Sequence, residues 1–522
     1  MGSMTHDRET VPDDIGPDTG LEPAGMVFGN VGSSEFRCVL TDPSVREMDH
    51  VELDHPTDGP VLGIVDSVEL LSDLDQEKAL GRLAGSPGRV TYRRVGKVSV
   101  IGRRDDRGNL YRPLTPVLPS TRVYKASREL LCSTLGMGSD RDGGVYLGKV
   151  LHSDVDVVLD PSVLVQRHVA LIAKSGSGKS YTCGVLAEEL NKLDVPVVVL
   201  DLHGEYRTLV SPNIVGEEYE RMERFGVSPK GLGDRLLEYT LSAPGALPGA
   251  VPTLGLDIRH FKAEDLLEVM GLKNIGPSSS LLYVAMDRVR SVLGEDLDLF
   301  DLMTALQSEN NPAKWPILNG LEHLKRLPFF NTAPTPLSSV VVPGKVTVIE
   351  LKDIPLDIQQ IGVAALLKKL FQARKDGLIP PFMLVVEEAH NFCPQGSTVI
   401  TSQVLQTLAS EGRKFGLGLA VVSQRPAKVD KNVLSQCGTQ IILKVTNPND
   451  LKAVVASVEG LNSRMADEIQ NLPVSVALVV GGNISNPVLV EVRTRRTRHG
   501  GEAVDILGHL SSRYSRNDDG AV

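Results

Sequence analysis

The sequence has few cysteines, no long apolar run and no excess of positive charge, and each lack closes off a class of protein. Five cysteines (Cys38, Cys132, Cys183, Cys393 and Cys437) are scattered over 522 residues with no C-x-x-C pair. That argues against a zinc site or a disulfide framework and fits a reducing cytoplasm. No apolar run approaches the ~20 residues of a membrane span. The amino end has no basic, apolar signal-peptide pattern. Met1-Gly2-Ser3 reads as a short addition ahead of Met4, and His6 stands where a myristoylation signal wants Ser or Thr. Lys and Arg number 55 against 65 Asp and Glu, a formal charge of −10. A surface coated with nucleic acid is not expected, although a locally basic channel is compatible with that balance. The length allows two or three domains and a large core.

What the chain does have is Ala173-Lys174-Ser175-Gly176-Ser177-Gly178-Lys179-Ser180. The apolar run Val169–Ile172 before it reads as a buried strand, and Tyr181–Leu190 after it as a helix. Strand, glycine-rich turn and helix are the setting of a P-loop. Backbone N–H groups and the helix N-terminus cradle phosphates there. Ser175, Gly176, Ser177, Gly178, Lys179, Ser180 and Tyr181 are the expected nucleotide-binding residues. Lys179 is placed to bridge β- and γ-phosphates and Ser180 to ligate Mg²⁺. Ala173 replaces the first glycine of the usual motif, which is tolerable if its φ is negative. A dinucleotide fingerprint is excluded, because Tyr181 stands where its last glycine belongs.

Residues 1–24, rich in Asp, Pro, Gly and Thr, read as disordered. From 25 to 127 the pattern is β: Met26–Phe28, Phe36–Leu40, His50–Leu53, Val61–Val65, Val90–Arg93, Val98–Ile101 and Arg122–Tyr124, with Val68–Leu83 read as a helix. The spacing suggests a small closed or Greek-key barrel that serves docking or assembly. Residues 128–165 read as a connector ending in a strand, Val155–Leu159. From 166 to 492 the chain reads as an α/β core with strands at Val197–Leu200, Val346–Leu351, Phe382–Val386, Leu417–Val422, Gln440–Val445, Ser475–Val480 and Val488–Val492. Helices are expected at Gln359–Arg374, Val399–Arg413 and Asp450–Val458, which implies a mostly parallel sheet. About 215–335 reads as an inserted helical bundle held by Leu266, Val269, Leu281, Leu282, Met286 and Val289. The tail 493–522 carries Arg493, Arg495, Arg496, Arg498, Arg513 and Arg516. It reads as solvated, or as a strap onto a neighbouring subunit or nucleic acid.

Phe382–Val386 is an apolar strand that ends in Glu387-Glu388. A hydrolytic P-loop site needs one acid for the metal and one for water, here Glu387 and Glu388. Gln424 ends the next core strand, where an amide can touch both the γ-phosphate and the attacking water. A satisfied strand-end amide is the plainer alternative. Asp201 ends the strand after the P-loop helix, the edge where α/β sheets bind ligands. It or Glu205 could lie near the γ-phosphate or a subunit boundary, or Asp201 could simply form a turn. Arg413 and Arg167 are candidate fingers, worth ~10³–10⁵ in rate when supplied by a neighbour. Surface arginines are the alternative for both. Glu387-Glu388-Ala389-His390 lies close to a D-E-A-H box. The long separation from Lys179 and the lack of a following Ser-Ala-Thr step argue against that helicase class. Lys428 and Lys431 are candidate pore contacts.

Together these residues resemble the HerA family of hexameric DNA translocases, within the HerA/FtsK group of RecA-like ATPases. The resemblance runs through the barrel, Gly176-Ser177-Gly178-Lys179-Ser180, Asp201 with His203-Gly204-Glu205-Tyr206, and Glu387-Glu388-Ala389-His390-Asn391. It continues through Gly412-Arg413-Lys414-Phe415-Gly416, Ser423-Gln424-Arg425-Pro426 and Asn447-Pro448-Asn449-Asp450. It implies a RecA-like core behind an HAS-type barrel, and a homo-hexamer with ATP and Mg²⁺ at each interface. It also implies double-stranded DNA in a central pore, a NurA-type nuclease on the barrel face, and DNA end resection in break repair. Two other readings stay open: a related motor in anti-phage defence, conjugation or packaging, and an assembly protein that keeps ATP as a structural ligand.

Overall fold

A computed structural model describes residues 22–501 except 84–89, 139, 244, 246–249, 260, 275 and 459–462. Nearly all of the segment expected to be disordered, and both Arg513 and Arg516, lie outside the described residues. The chain forms two compact units, one of residues 1–163 with 476–492 and one of 164–475 with 493–522.

In the first unit, strands β1 (Gly25–Phe28), β2 (Glu35–Leu40), β3 (His50–His55), β4 (Gly59–Ser72), β5 (Tyr92–Arg104), β6 (Leu110–Tyr111) and β7 (Arg122–Lys125) pair antiparallel. The order β2-β1-β7-β3-β4-β5 returns to β2, so six strands close a barrel and leave no open edge among themselves. Period-two alternation drives the closure: Phe36, Cys38 and Leu40 point inward with Val51, Leu53, Val61, Val98 and Val123. The expected helix Val68–Leu83 is corrected. Residues 68–72 continue β4 against Tyr92–Gly96, and only Gln76–Leu83 is helical. Pairing with β5 outweighs the local helical pattern, and it also fuses two expected strands into β5.

The expected connector is largely regular structure. Ser127 caps the helix Arg128–Leu135, which Gly136 ends in the left-handed region at φ 76°. Strands β8 (Val145–Val150) and β9 (Asp156–Leu159) follow, and β8 pairs with the strand Ile484–Val492, itself paired with Val476–Gly481. The last strand pair therefore groups with the first unit.

The second unit is built on β10 (Val169–Ile172), β11 (Val197–Asp201), β12 (Leu236–Thr240), β13 (Val346–Glu350), β14 (Phe382–Val386), β15 (Leu417–Ser423) and β16 (Thr439–Ile442). They lie parallel in the order β12-β13-β11-β14-β15-β10-β16. Strands β10, β11, β14 and β15 are buried at every residue, as continuous Val/Leu/Ile runs require when helices cover both faces. The insertion carries helices Ala263–Val269, Pro277–Leu293, Leu299–Gln307 and Lys314–Arg326 around buried Leu266, Leu282, Met286, Leu302 and Leu321. The segment read as its beginning also supplies β12 to the edge of the sheet. The helix expected at Val399–Arg413 spans Ser402–Glu411 and then tightens into a 3₁₀ turn, Gly412–Phe415. The described part of the tail is only partly solvated: Arg493 and Arg495 are 0% and 1% exposed, against Glu188 and Glu189 of the P-loop helix, whereas Arg498 is exposed. Among the described residues no helix is long and apolar enough to cross a membrane.

Candidate nucleotide site

The loop after β10 is anchored at its base. Ala173 N–H donates to Ser423 O at 3.2 Å and Lys174 N–H to Lys444 O at 2.8 Å, fixing the loop to the chain that leaves β15 and β16. Ala173 is fully buried and keeps a negative φ, so its methyl is accommodated. Gly176 and Gly178 have φ of 76° and 99°, the left-handed region where a side chain is strained. Ser177 closes the turn by donating from Oγ to Lys174 O at 2.6 Å. Gly178 then opens the helix Lys179–Lys192 with no side-chain cap, which leaves the first N–H groups directed at the loop. Ser175 and Gly176 are exposed, while Ser180 and Tyr181 are partly buried. Tyr181 turns away along the helix. Its hydroxyl donates to Glu218 at 3.2 Å and accepts from Arg495 N–H at 2.8 Å.

Parallel pairing brings the ends of β10, β14 and β15 to one edge of the sheet. Glu388 lies there in the left-handed region, φ 43° and ψ 47°. Its Oε1 is ion-paired with Lys179 Nζ and accepts from Gln424 Nε2 at 2.6 Å. Its Oε2 is buried with no hydrogen-bond partner among the described residues. Burial raises this carboxyl, but Lys179, Gln424 and His390 outweigh burial and hold it below its ordinary range. It is therefore ionised, with one buried oxygen that makes no hydrogen bond among the described residues.

Glu387 is the opposite case. It is fully buried, Tyr206 OH donates to its Oε1 at 2.8 Å, and its Oε2 has no partner among the described residues. Burial, with Asp201 and Glu205 adding to it, pushes its carboxyl up to about 8 against the opposing pull of Lys179 and Tyr206. An orphaned buried carboxylate oxygen fits a hard cation, and Mg²⁺ typically takes one or two carboxylates and completes its shell with phosphate and water. Glu387 and the Ser180 hydroxyl are the oxygen donors that would hold it.

Asp201 has both oxygens filled. Oδ1 accepts from the N–H groups of His203, Gly204 and Glu205 at 2.8–3.3 Å, and Oδ2 from Tyr206 N–H at 3.0 Å. It forms the turn that aims Tyr206 at Glu387, and His203 Nε2 stands 3.9 Å from Glu388. Burial raises the Asp201 carboxyl despite these four donors.

Arg167 and Arg413 are not brought to this edge. Both are exposed and precede β10 and β15, at the starting ends of strands whose finishing ends carry the loop and Gln424. Strand β10 alone separates the two edges by roughly 13 Å. Buried His168 ties the two arginine-bearing segments: Nε2 donates to Ala409 O and Nδ1 accepts from Leu419 N–H, each at 3.0 Å. Sequence reasoning gave no role to Tyr206, His168 or His390. Tyr206 lies within His203-Gly204-Glu205-Tyr206 and His390 within Glu387-Glu388-Ala389-His390, which is the signal the sequence offers for them, whereas nothing local marks His168.

Family models for the helicase HerA central domain and the HerA-like C-terminal domain match residues 145–370 and 364–494. A probable helicase of Methanocaldococcus jannaschii is 28% identical over 93% of this chain and 93% of its own. The DNA double-strand break repair helicase HerA of Sulfurisphaera tokodaii is 28% identical over 90% of this chain and 92% of its own. A solved structure of VirB4 from Thermoanaerobacter pseudethanolicus overlaps with a TM-score of 0.47 at 16% identity, covering 68% of this chain and 98% of that one.

Proposed function

Because the chain belongs to the HerA helicase family, we propose that it is an ATP-hydrolysing DNA helicase and double-stranded DNA translocase of double-strand break repair. The observation that carries this reading is Glu388, whose Oε1 is tied to Lys179 and Gln424 while Oε2 has no hydrogen-bond partner among the described residues. N–H groups from Ser175 to Tyr181 hold the phosphates of ATP, and Lys179 neutralises the γ-phosphate. Ser180 and Glu387 hold Mg²⁺, which supplies charge neutralisation on the phosphates when bound. Glu388 accepts the proton of the attacking water, and Gln424 orients that water against the γ-phosphate.

Exposed Arg167 and Arg413, on the edge away from their own loop, support a site completed by a neighbouring subunit. The finer reading is a homo-hexamer with the duplex through its pore. A NurA-type nuclease docks on the barrel, and the assembly resects DNA ends. Five unpaired cysteines support a reducing, cytoplasmic setting. The test is ATP hydrolysis with and without duplex DNA, in wild type and Lys179→Ala. Duplex should stimulate the wild type, and the variant should be inactive. An ATPase indifferent to duplex would sink the motor. Electron microscopy with duplex and a non-hydrolysable analogue counts the subunits, and co-purification identifies the nuclease.

A further inference from the structure

His390 touches the water-side oxygen of Glu388, yet the hydrolytic scheme uses only Lys179, Gln424 and the metal side. Its Nδ1 is 3.4 Å from Glu388 Oε2 and 3.3 Å from Ser423 Oγ. Ser423 Oγ in turn accepts from Arg425 N–H at 3.0 Å. His390 is therefore wedged between the carboxylate and the start of the loop that follows β15. Glu388 needs such support, because a non-glycine residue at φ 43° keeps that conformation only when its surroundings over-determine it.

The loop that carries His390 is also bonded along its length to the loop after β15. Gln395 N–H donates to Lys428 O at 2.8 Å, and Asp430 N–H to Cys393 O at 2.9 Å. Lys431 N–H donates to the Gln395 side chain at 2.9 Å, and Pro394 bridges Val429. Residues 389–395 and 425–431 thus form one piece. It exposes Arg425, Lys428 and Lys431 on its surface and presents His390 to the site.

We propose that His390 is a positioning residue for Glu388, and that it transmits phosphate contacts at Arg425, Lys428 and Lys431 to the water-polarising carboxylate. This rests on the reading of Glu388 as base and of duplex DNA as cargo. The imidazole acts as a neutral dipole. Burial, helped by Arg425, Lys179 and Lys428, keeps it below its ordinary range against the raising pull of Glu388. DNA phosphates seated on the three cations shift the paired loops, and the Ser423–His390 wedge carries that shift to Oε2.

The experiment measures kcat and KM for ATP, with and without duplex DNA, in His390→Ala, His390→Asn and Gln395→Ala. Asn can place an N–H donor where Nδ1 stands. His390→Ala should lower kcat ~10–100-fold, the cost of a misplaced group, with KM unchanged, and His390→Asn should recover most of it. Gln395→Ala removes one of the four links between the loops, and should keep the DNA-free rate while losing part of the increase on adding duplex. The proposal is overturned if His390→Ala keeps wild-type kcat, if His390→Asn is as slow as His390→Ala, or if Gln395→Ala is stimulated in full. The underlying reading fails separately, by a wild type that ignores duplex or a Lys179→Ala variant that still hydrolyses ATP.

Discussion

Gln424 donates from Nε2 to Oε1 of Glu388 at 2.6 Å, the same oxygen that binds the Lys179 ammonium. One carboxylate oxygen therefore joins the ends of β14 and β15 to the glycine loop. A γ-phosphate on Lys179 would compete for the ammonium, leaving Gln424 to hold the carboxylate. With Glu388 in the proposed role of base, nucleotide binding and the orientation of that base would be coupled through these three side chains.

Glu388→Gln keeps an acceptor for Lys179 and Gln424 but removes the basic oxygen. It should bind ATP as wild type does and hydrolyse it ~10²–10⁴-fold more slowly. Lys179→Ala should lose binding of the triphosphate itself. Equilibrium binding of an ATP analogue beside phosphate release separates the two. Near-normal turnover in Glu388→Gln would remove Glu388 from the role of base.

The Glu387 carboxyl, raised to about 8 from an ordinary 4.5, gives a pH signature. Between those values the unfolded chain has lost the proton and the folded chain keeps it. Stability therefore falls as pH rises from about 4.5 to about 8, by at most about 1.4 kcal/mol per unit, and is level above. Glu387→Gln removes that slope. Denaturation midpoints from pH 5 to 9 without divalent cation should draw apart for the two proteins, the wild type losing ground as pH rises. Parallel curves would mean that the buried carboxyl is not raised.

Arg493 Nη2 lies 2.8 Å from both Glu188 Oε2 and Glu189 Oε1, with all three side chains buried. Leaving a buried charge wholly unpaired costs about 3–5 kcal/mol, and that is an upper bound here, because Glu188 keeps Arg495 and Thr497 and Glu189 keeps Lys192 and Arg496. Arg493→Met should lower Tm by roughly 5–15 °C. Arg493→Lys should recover only part, because an ammonium lacks the planar fork. Thermal unfolding measures both, and an unchanged Tm in Arg493→Met would mean the chain after Ile484–Val492 is not held there.

The contrast between Glu388 and Arg493 indicates what could be read in advance. The P-loop, the acid pair and Gln424 each sit at the end of an apolar run, so local pattern placed them on one sheet edge. Strand β8 finds its partner in Ile484–Val492, more than three hundred residues away, and no local signal specifies that pairing. The buried arginines escaped for the same reason. Arg493 and Arg495 look like a basic tail until Glu188 and Glu189, about three hundred residues earlier on the P-loop helix, are found facing them. The stretch 68–72 looked helical because its strand partner, Tyr92–Gly96, lies beyond the intervening helix.

Arg167 and Arg413 lie at the starting ends of β10 and β15, too far from their own loop to touch the same nucleotide. If one of them completes the neighbour's site, the alanine variant of that arginine loses up to ~10³–10⁵ in rate while still binding ATP. Lys179→Ala is dead for the reason given above, but it still presents its arginines. Mixed with the arginine variant, it forms interfaces in which an intact loop meets an intact finger. Mixing two inactive proteins should therefore restore measurable hydrolysis, in proportion to those hybrid interfaces. The arginine whose variant is rescued in this way is the finger. One whose variant stays active alone is a surface residue, and failure of both to complement would place the missing charge elsewhere in the subunit.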